Sequence, residues 1–270
     1  MSVKKVLVIR FRRIGDAVLS VVICSSIRKS FPEAEIHYVL NDHIAPLFEN
    51  HPDIDKIITF SDEENNHFFK YLRKVRQLMK TERYDVIIDT RATIKTLWFS
   101  AFSLRTKYRI GTSKFYNHFF HNYRVRNHVN DDLDEVVRNL LLLQPLERER
   151  KLIMTTDFRL YVTEQETAEF KSYMEQKGIN FSRFIVVCTP FTRVARKAWD
   201  MAKMKEILYR IIQRYDAQLI FNYSREEKAA ALTLYEDMGK DEHIFIDIEA
   251  DSLRKLVSML EIADFFFGNE

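Results

Sequence analysis

Short apolar runs alternate with segments of helical periodicity along the first half of the chain. The runs are rich in Val, Ile and Leu and lack polar alternation, which is typical of strands buried on both faces. The predicted strands cover residues 6–9, 35–40, 56–60 and 85–89, and the predicted helices cover residues 16–30, 45–49, 68–80 and 133–143. Strands and helices in alternation predict right-handed βαβ units and a parallel sheet.

The same alternation resumes in the second half. Predicted strands cover residues 158–162, 184–188, 218–221, 243–247 and 264–267, and predicted helices cover residues 164–177, 201–215, 226–238 and 252–260. The charged stretch LERERK between them has no apolar periodicity and marks a boundary region. The sequence therefore predicts an α/β protein of two doubly wound domains, residues 1–155 and 156–270, with a ligand site in the cleft between them.

The last residues, ADFFFGNE, stop directly after a predicted buried strand. A doubly wound unit continues from such a strand into a loop and a further helix that covers the sheet. We therefore expect the second domain to be incomplete and the chain to be truncated at its C-terminus.

Composition narrows the class of protein. Hydrophobic residues make up 46% and charged residues 30% of the chain, which is globular composition, and a net charge of +3 gives no whole-chain argument for nucleic acid. Cys24 and Cys188 sit singly in apolar runs, and no stretch approaches the length of a membrane span, so a cytoplasmic protein is the default. The five glycines form neither G-x-G-x-x-G nor a P-loop, which disfavours nicotinamide dinucleotides and Walker-type phosphate binding.

The first candidate site is the Gly15–Asp16 pair between the first strand and the first helix. One interpretation makes Asp16 the N-cap of that helix. The other makes it a site carboxylate, because open α/β sheets bind ligands at the carboxyl ends of their strands and Gly15 permits close approach. Arg12 and Arg13 would bring positive charge to the same rim, which suits an anionic substrate.

The second candidate site is the loop CTPFTRVARKAWD, which follows the first strand of the second domain. Its hydroxyls and cations, together with the N-terminus of the next helix, suit a diphosphate, and a solvated basic loop is the alternative. The residues that carry this prediction are Thr189, Thr192, Arg193, Arg196 and Lys197.

A basic and aromatic block is the third feature. No acid occurs between Asp89 and Asp131, whereas eight arginines and lysines are interleaved with nine aromatic residues. Such a block fits an anionic membrane surface, an anionic glycolipid or nucleic acid. We expect Arg91 and Lys95, just past the fourth strand, to reach such an anionic ligand.

An acidic pair of the kind that can bind Mg²⁺, Asp53 and Asp55, precedes the third strand. Aspartate is a common turn former, and we interpret the pair as turn chemistry at the start of a strand. No metal site is predicted.

Five segments resemble one family, the heptosyltransferases of glycosyltransferase family 9. They are IGD at the start of the first helix, FPEAEIHYVL and HPDIDKIITF at the next two strands, K-x-W in the basic loop, and the ADxxxGN ending. Their order runs through nearly all of the chain.

The resemblance implies a GT-B architecture of two Rossmann-like domains, with the acceptor on the first and the nucleotide-sugar on the second. It implies inverting, metal-independent transfer from ADP-heptose or a similar nucleotide-sugar to a lipopolysaccharide-core or related anionic glycolipid, without a cofactor. It also implies a cytoplasmic protein peripheral to the inner membrane, with no nucleic-acid partner.

The resemblance also assigns roles to residues. Asp16 corresponds to the family's proposed general base, Lys197 to the lysine that contacts the donor phosphates, and Thr192 to a hydroxyl residue of the same loop. Glu226 or Glu227 would contact the ribose, and Glu270 matches an acidic position of the donor site. From the residues themselves, and not from the family's motifs, we expect Arg12, Arg13, Gly15, Arg91 and Lys95 to form the acceptor side.

Two alternatives stay open at this point. A degenerate transferase that binds anionic lipid or RNA without catalysis would use the same basic and aromatic block. A nucleotide-sugar epimerase or hydrolase would use the same architecture. Arg12 and Arg13 replace the small polar residues common in the family before IGD, so the acceptor is not fixed by the resemblance.

Overall fold

A computed structural model of the chain describes residues 3–11, 13–126, 132–192 and 195–269. The chain divides into two compact units, Met1–Tyr161 and Val162–Glu270. Each unit is built on a parallel sheet with helices, and the predicted fold class of two doubly wound α/β domains is confirmed.

The described part of the first unit forms a six-stranded parallel sheet in the order β3-β2-β1-β4-β5-β6. Its strands are β1 (Lys5–Ile9), β2 (Glu35–Asn41), β3 (Lys56–Phe60), β4 (Val86–Asp89), β5 (Tyr108–Thr112) and β6 (Tyr123–Val125). Its helices are α1 (Ile14–Ser30), α2 (Asp62–Asn66), α3 (Phe68–Thr81), α4 (Leu97–Ala101) and α5 (Glu135–Leu141), with 3-10 helices at Ala45–Phe48 and Gln144–Arg148.

Helix α1 is buried along most of its length, which its small and β-branched residues permit. Val21, Val22 and Ile23 have no exposed surface. The hydroxyl of Tyr38 on β2 donates to the carbonyl of Ala17 at 2.9 Å, so this fully buried polar group is satisfied inside the core. Helix α1 also packs against α5, and this contact brings the start of α5 to the start of α1.

An ion-pair cluster closes the amino-terminal edge of this sheet. The Lys5 ammonium on β1 lies 2.5 Å from a Glu82 oxygen and 3.0 Å from a Glu35 oxygen, and the Lys56 ammonium on β3 lies 2.6 Å from Glu82. Glu35, His37 and Glu82 bring ligand atoms within 4.8 Å of one another. Because Lys5 already pairs with both carboxylates, this cluster is an ion pair that joins strands.

The described part of the second unit forms a four-stranded parallel sheet in the order β10-β7-β8-β9. Its strands are β7 (Ile185–Thr189), β8 (Gln218–Phe221), β9 (Ile244–Phe245) and β10 (Phe265–Gly268). Its helices are α6 (Glu164–Gln176), α7 (Met201–Tyr215), α8 (Lys228–Asp237) and α9 (Leu253–Ile262), with 3-10 helices at Ala195–Lys197 and Arg225–Glu227.

Helix α6 has a defined residue pattern at each end. Thr163 and Glu166 form a reciprocal capping box at its start. Gly178 ends it at φ +97°, and its N–H donates to the carbonyl of Glu175 at 2.9 Å. A left-handed residue of this kind favours glycine, which accounts for Gly178 at the end of the helix.

The sequence patterns miss β5 and β6, which lie inside the basic and aromatic block. Arg109 interrupts the apolar run of β5, yet this residue is buried. Its guanidinium donates to the carbonyls of Phe120, Leu104 and Thr106, each at 2.7 Å. Three acceptors satisfy the buried charge, so this member of the block is structural and does not face a ligand.

The strand predicted at residues 158–162 is wrong, because that segment is irregular. The Asp157 carboxylate accepts from the backbone N–H of Arg159 at 3.1 Å and from its guanidinium at 2.6 Å. The Tyr161 ring packs edge-on against His51 at 5.0 Å. Local turn contacts and ring packing replace a ladder of backbone hydrogen bonds here.

Glu82 provides a test of the amino-terminal ion pairs. Hydrogen bonds from Lys5 and Lys56 lower the pKa of Glu82 from 4.5 to about 2. A lowered native pKa stabilises the fold above the unfolded pKa, and this stabilisation is lost as the pH falls from about 4.5 toward 2. We expect Glu82→Gln to cost about 1–3 kcal/mol of unfolding free energy at pH 7.

The cost should shrink steadily as urea unfolding is repeated at falling pH below 4.5, where wild type itself loses the charge. Glu33→Gln, at an exposed position in the turn before β2, is the matched control and should change little. A cost that is the same at pH 7 and pH 3 would show that Glu82 acts by packing and not by charge.

Candidate active site

The carboxyl edge of the first sheet contains a topological switch point. The chain runs outward from β1 to β2 and β3 and then returns to β4 on the other side of β1. Loops that leave β1 and β4 therefore diverge and open a crevice, which is the usual ligand position in open α/β sheets. Arg10 follows β1 and Thr90 follows β4 at this point.

Arg10 is the central cation of the crevice, although the sequence analysis assigns it no role. It is only 4% exposed. One terminal nitrogen lies 2.9 Å from an Asp16 oxygen and 3.3 Å from a Glu135 oxygen, and the other donates to the Thr90 hydroxyl at 3.3 Å. A buried cation requires such partners, and Arg10 therefore fixes the starts of α1 and α5 around itself. Its position directly after a buried strand is the signal that sequence reasoning could have used.

Asp16 is not the N-cap of α1, so the capping interpretation is wrong. The helix begins at Ile14, and the cap position is Arg13, whose φ of 50° ends the loop. Asp16 lies in the first turn, where the helix dipole favours a carboxylate. Its side chain is 27% exposed and lies 3.8 Å from the Arg91 guanidinium, in addition to Arg10.

The Asp16 carboxylate lines a pocket of about 440 Å³, named here the Asp16 pocket. Two carboxylates, Asp16 and Glu135, meet five cations there. The cations are Arg10, Arg13, Arg91, Lys114 and Arg138. This excess of positive charge suits an anionic ligand with a hydroxyl near Asp16.

A second pocket of about 460 Å³, named here the Lys95 pocket, shares Arg13 and Arg91 with the first. Lys95 lines it, as expected of an acceptor residue, but its ammonium donates to the backbone and side-chain oxygens of Asn65 at 2.7 and 2.8 Å. The ammonium also lies 4.6 Å from the centre of the Tyr71 ring. Lys95 therefore holds the end of α2 in place at the pocket wall.

Buried polar groups hold the loop that carries Arg91. The Asp89 carboxylate accepts from the backbone N–H groups of Arg91 and Ala92 at 3.1 and 2.8 Å, and Ala92 has a φ of 47°. The second Asp89 oxygen faces Nε2 of buried His121 at 3.8 Å. Burial lowers the pKa of His121 and favours the neutral ring. Asp89 thus holds the Arg91 loop through its backbone, and His121 packs against the buried side of Asp89.

The loop after β5 is tied to the Arg91 loop. The Lys114 ammonium and the Tyr116 hydroxyl donate to the carbonyls of Arg91 and Ala92, each at 3.0 Å. Two of the loops at the carboxyl edge are thereby linked to each other.

The second unit has a corresponding switch point, between β7 and β10. Asn269 donates its backbone N–H to the Thr189 carbonyl at 2.8 Å and its side-chain amide to the Pro190 carbonyl at 3.2 Å, and it accepts from the Trp199 N–H at 3.2 Å. A Cβ on Gly268 would fall 1.9 Å from the Thr189 hydroxyl oxygen. The Gly-Asn pair of the chain ending therefore shapes the basic loop.

Within that loop, Lys197 is exposed and Thr192 is half-buried. The helix N-terminus expected to assist them is partly occupied, because Asp200 caps α7 and accepts from the N–H of Lys203 at 3.0 Å. Arg12, Arg193 and Glu270 lie outside the described residues.

The predicted ribose residue falls next to a pocket of about 550 Å³ at the ends of β8 and β9, lined among others by Tyr223, Arg225 and Glu249. Glu226 is exposed, whereas Glu227 accepts from the N–H of Ser224 at 2.8 Å and acts as a local cap. Of the two acids, Glu226 is the one whose carboxylate is not used in that cap. Tyr223 and Glu249 belong to none of the motifs found in the sequence.

A larger cavity of about 650 Å³ lies between α6 and α9 and contains none of the predicted site residues. Four acids line it against two cations, Arg254 and Lys255. An acidic lining opposes the binding of a diphosphate, so this cavity is not a donor site.

In the acidic pair before β3, Asp55 has the structural role that was expected. An Asp55 oxygen accepts from the backbone N–H of Ile36 at 2.6 Å and from the Arg28 guanidinium at 2.5 Å. Arg28 also donates to the carbonyls of Pro32 and Ala34, at 2.7 and 2.8 Å. The carboxylate is thus committed to the turns that lead into β2 and β3.

Comparison with known proteins decides between the families that use this architecture. The sequence model described as glycosyltransferase family 9 (heptosyltransferase) matches residues 72–269, almost three quarters of the chain. The chain belongs to glycosyltransferase family 9. The match contains Arg91, Thr189 and Lys197 but begins beyond Asp16.

Individual relatives of this family 9 protein agree with the match. Lipopolysaccharide heptosyltransferase 3 of Escherichia coli K12 is 26% identical over 74% of the chain, and the chain spans 58% of that relative's length. The family 9 glycosyltransferase of Veillonella parvula has a TM-score of 0.84 at 14% identity, over 99% of this chain and 75% of its own. Escherichia coli heptosyltransferase WaaC with ADP-2-deoxy-2-fluoro heptose has a TM-score of 0.71 at 15% identity, over 98% and 82%.

These structural likenesses show that the family 9 chain has the GT-B fold. Across the residues that the structure describes, no helix has the length and apolarity needed to cross a bilayer.

Gly111 provides a test of the support behind the Arg91 loop. A Cβ at this position would lie 2.5 Å from Cε1 of His121, whose ring is buried and cannot turn away freely. We expect Gly111→Ala to lower the unfolding free energy by about 1–3 kcal/mol.

Gly15→Ala is the matched control, because a Cβ there meets nothing within 4 Å and lies in the first turn of a helix. That variant should be neutral or up to about 1 kcal/mol more stable. Equal unfolding midpoints for the two variants in urea would contradict the packing of His121 against Gly111.

Proposed function

We propose that the protein acts in inverting, metal-independent transfer of a heptose from ADP-heptose, or a similar ADP-sugar, to a lipopolysaccharide-core or related anionic glycolipid. The observation that carries the proposal is the Asp16 carboxylate in a cationic pocket at the switch point of the first sheet, held by buried Arg10 at 2.9 Å. Membership of glycosyltransferase family 9 supports the reaction class.

Asp16 is the proposed general base. As the acceptor hydroxyl oxygen bonds to the anomeric carbon, its proton passes to the Asp16 carboxylate, and the bond from that carbon to the diphosphate breaks. The electron pair of the broken bond leaves with ADP. Attack opposite the leaving group inverts the configuration. The contact with Arg10 orients the carboxylate, while its 27% exposure leaves a face for the hydroxyl.

Arg13, Arg91 and Lys114 are the proposed contacts of an anionic acceptor, because they line the Asp16 pocket. With Arg10 and Arg138 they give the pocket five cations against two carboxylates. Gly15 leaves open space beside them, since a Cβ there would meet nothing within 4 Å. Lys95 acts in the same proposal by holding the wall of the neighbouring pocket.

The donor side is proposed on the second unit. Lys197, with Arg193 and the Thr189 and Thr192 hydroxyls, would stabilise the charge that develops on the leaving diphosphate. Glu226 is the proposed contact of the ribose, and Glu270 the further acid of the donor site. The structure of the WaaC heptosyltransferase with an ADP-heptose analogue supports an ADP-sugar as the donor class. A glycolipid acceptor places the reaction at the cytoplasmic face of the inner membrane.

Asp16→Asn tests the base. The amide keeps the size of the side chain but cannot accept the proton, so we expect the rate of transfer to fall by about 10²- to 10⁴-fold. The affinity for ADP, measured by calorimetry, should stay within about twofold, because Asp16 lies on the first unit.

Asp42→Asn, an exposed acid beyond β2, is the matched control for the loss of a negative charge and should keep the wild-type rate. Transfer by Asp16→Asn at more than a tenth of the wild-type rate would remove Asp16 as the base.

Lys197→Ala tests the donor site. Loss of one charge-assisted contact to the diphosphate should weaken ADP binding about 10- to 100-fold. Lys203→Ala removes a neighbouring exposed lysine on α7 and should leave the affinity unchanged. If both variants bind ADP like wild type, the basic loop does not hold the donor.

A further inference from the structure

The four most exposed large apolar side chains among the described residues all belong to the first unit. Phe115 is 88% exposed, Phe69 84%, Phe119 76% and Ile94 70%. Phe69, Ile94 and Phe115 lie on segments that leave the carboxyl ends of β3, β4 and β5, and Phe119 lies four residues beyond Phe115 in the connection to β6. Together with Phe68, which is 55% exposed, these residues are named here the apolar fringe.

The apolar fringe borders the pockets of the proposed acceptor side. Phe68 lies two residues beyond Asn66, which lines the Lys95 pocket together with Asn65, and Ile94 stands between two further lining residues of that pocket. Phe115 directly follows Lys114, which lines the Asp16 pocket. The protein thus exposes a phenylalanine near a lining residue of each of the two pockets.

Charge at the fringe is mostly basic. No acid occurs from residue 90 to residue 130, so the loop of Phe115 and Phe119 has only basic neighbours in sequence, Lys114 among them. On the side of Phe68 and Phe69 the three acids of α2 are balanced in part, since Glu63 pairs with Lys70 and Glu64 with Lys74. Basic side chains next to exposed aromatic ones complement an anionic lipid surface.

The arrangement favours a bilayer over a protein partner. A protein interface has a continuous apolar centre with a polar rim. Here the apolar side chains stand on separate segments, at the start of α3 and after β4 and β5, and they are near in sequence to residues that line polar and cationic pockets. Apolar side chains on separate segments can insert between lipid headgroups without the shape complementarity that a protein interface requires.

We propose that the apolar fringe inserts into the interfacial layer of an anionic bilayer and turns the Asp16 and Lys95 pockets toward the lipid surface. The inference rests on the proposed function in one respect, that a glycolipid acceptor would be met there. Binding to the bilayer itself requires only the fringe and its basic neighbours.

Vesicle sedimentation tests the proposal. Vesicles of phosphatidylethanolamine and phosphatidylglycerol are compared with vesicles of phosphatidylcholine. We expect wild type to bind the anionic vesicles, and F115S/F119S and F68S/F69S each to bind them about tenfold or more weakly, because each loses two inserted rings. The matched control, Y215S/L232S, removes two exposed apolar side chains of the second unit, 58% and 44% exposed, and should bind like wild type.

Depth of insertion is measured with F115W and brominated lipids, with the unsubstituted protein as the baseline for the two native tryptophans. Added quenching in F115W supports insertion. Equal binding by wild type and both fringe variants would overturn the proposal. The proposal would also be overturned if the wild-type protein did not bind anionic vesicles but formed a dimer that the fringe variants do not form. That result would identify the fringe as a protein interface.

Failure of the proposed function gives a different pattern. Asp16→Asn should bind vesicles like wild type, and the fringe variants should transfer to a delipidated, soluble acceptor at the wild-type rate. Vesicle binding without any transfer would reject the proposed reaction and retain the fringe.

Discussion

The candidate site depends on one buried positive charge, the Arg10 guanidinium. A cation that is 4% exposed at the end of a buried strand is stable only if carboxylates and hydroxyls come to it. Asp16 from α1, Glu135 from α5 and Thr90 from the end of β4 meet this requirement. The need to pair Arg10 thus gathers the β1, β4 and α5 regions at the switch point, and Asp16 is oriented as a consequence.

The second unit builds its carboxyl edge by other means. There the shaping contacts are those of the backbone and of small groups, because Gly268 leaves room for the Thr189 hydroxyl and Asn269 ties together Pro190 and Trp199. A loop held through its backbone keeps its cationic side chains at the surface, and Lys197 is exposed. Such a loop suits a diphosphate, whose charge is spread over several oxygens, whereas a base must be held at a single orientation.

The fold was readable from the sequence wherever burial produced an uninterrupted apolar run. Strands β1 to β4 and β7, β8 and β10 lie where the runs predict them, within one or two residues. Strand β5 was missed because Arg109 breaks its run, and only the folded chain supplies the three carbonyls that accept its charge. The position of Asp16 after β1 was enough to predict it as a candidate site residue. Its neighbours Arg10 and Glu135 are 125 residues apart in the chain and meet only in the folded unit.

The absence of acidic residues from positions 90–130 is consistent with the different roles of the side chains in this block. Arg109 donates to carbonyls inside the fold, Arg91 and Lys114 line the Asp16 pocket, and Phe115, which follows Lys114, is exposed, as is Phe119. A carboxylate on these loops would pair with the pocket cations and reduce the excess of positive charge that attracts an anionic ligand. It would also be repelled by an anionic lipid surface. The two acids that the pocket does contain, Asp16 and Glu135, are those that pair with Arg10. Negative charge is therefore confined to the position where the fold needs it and where a base is proposed to act.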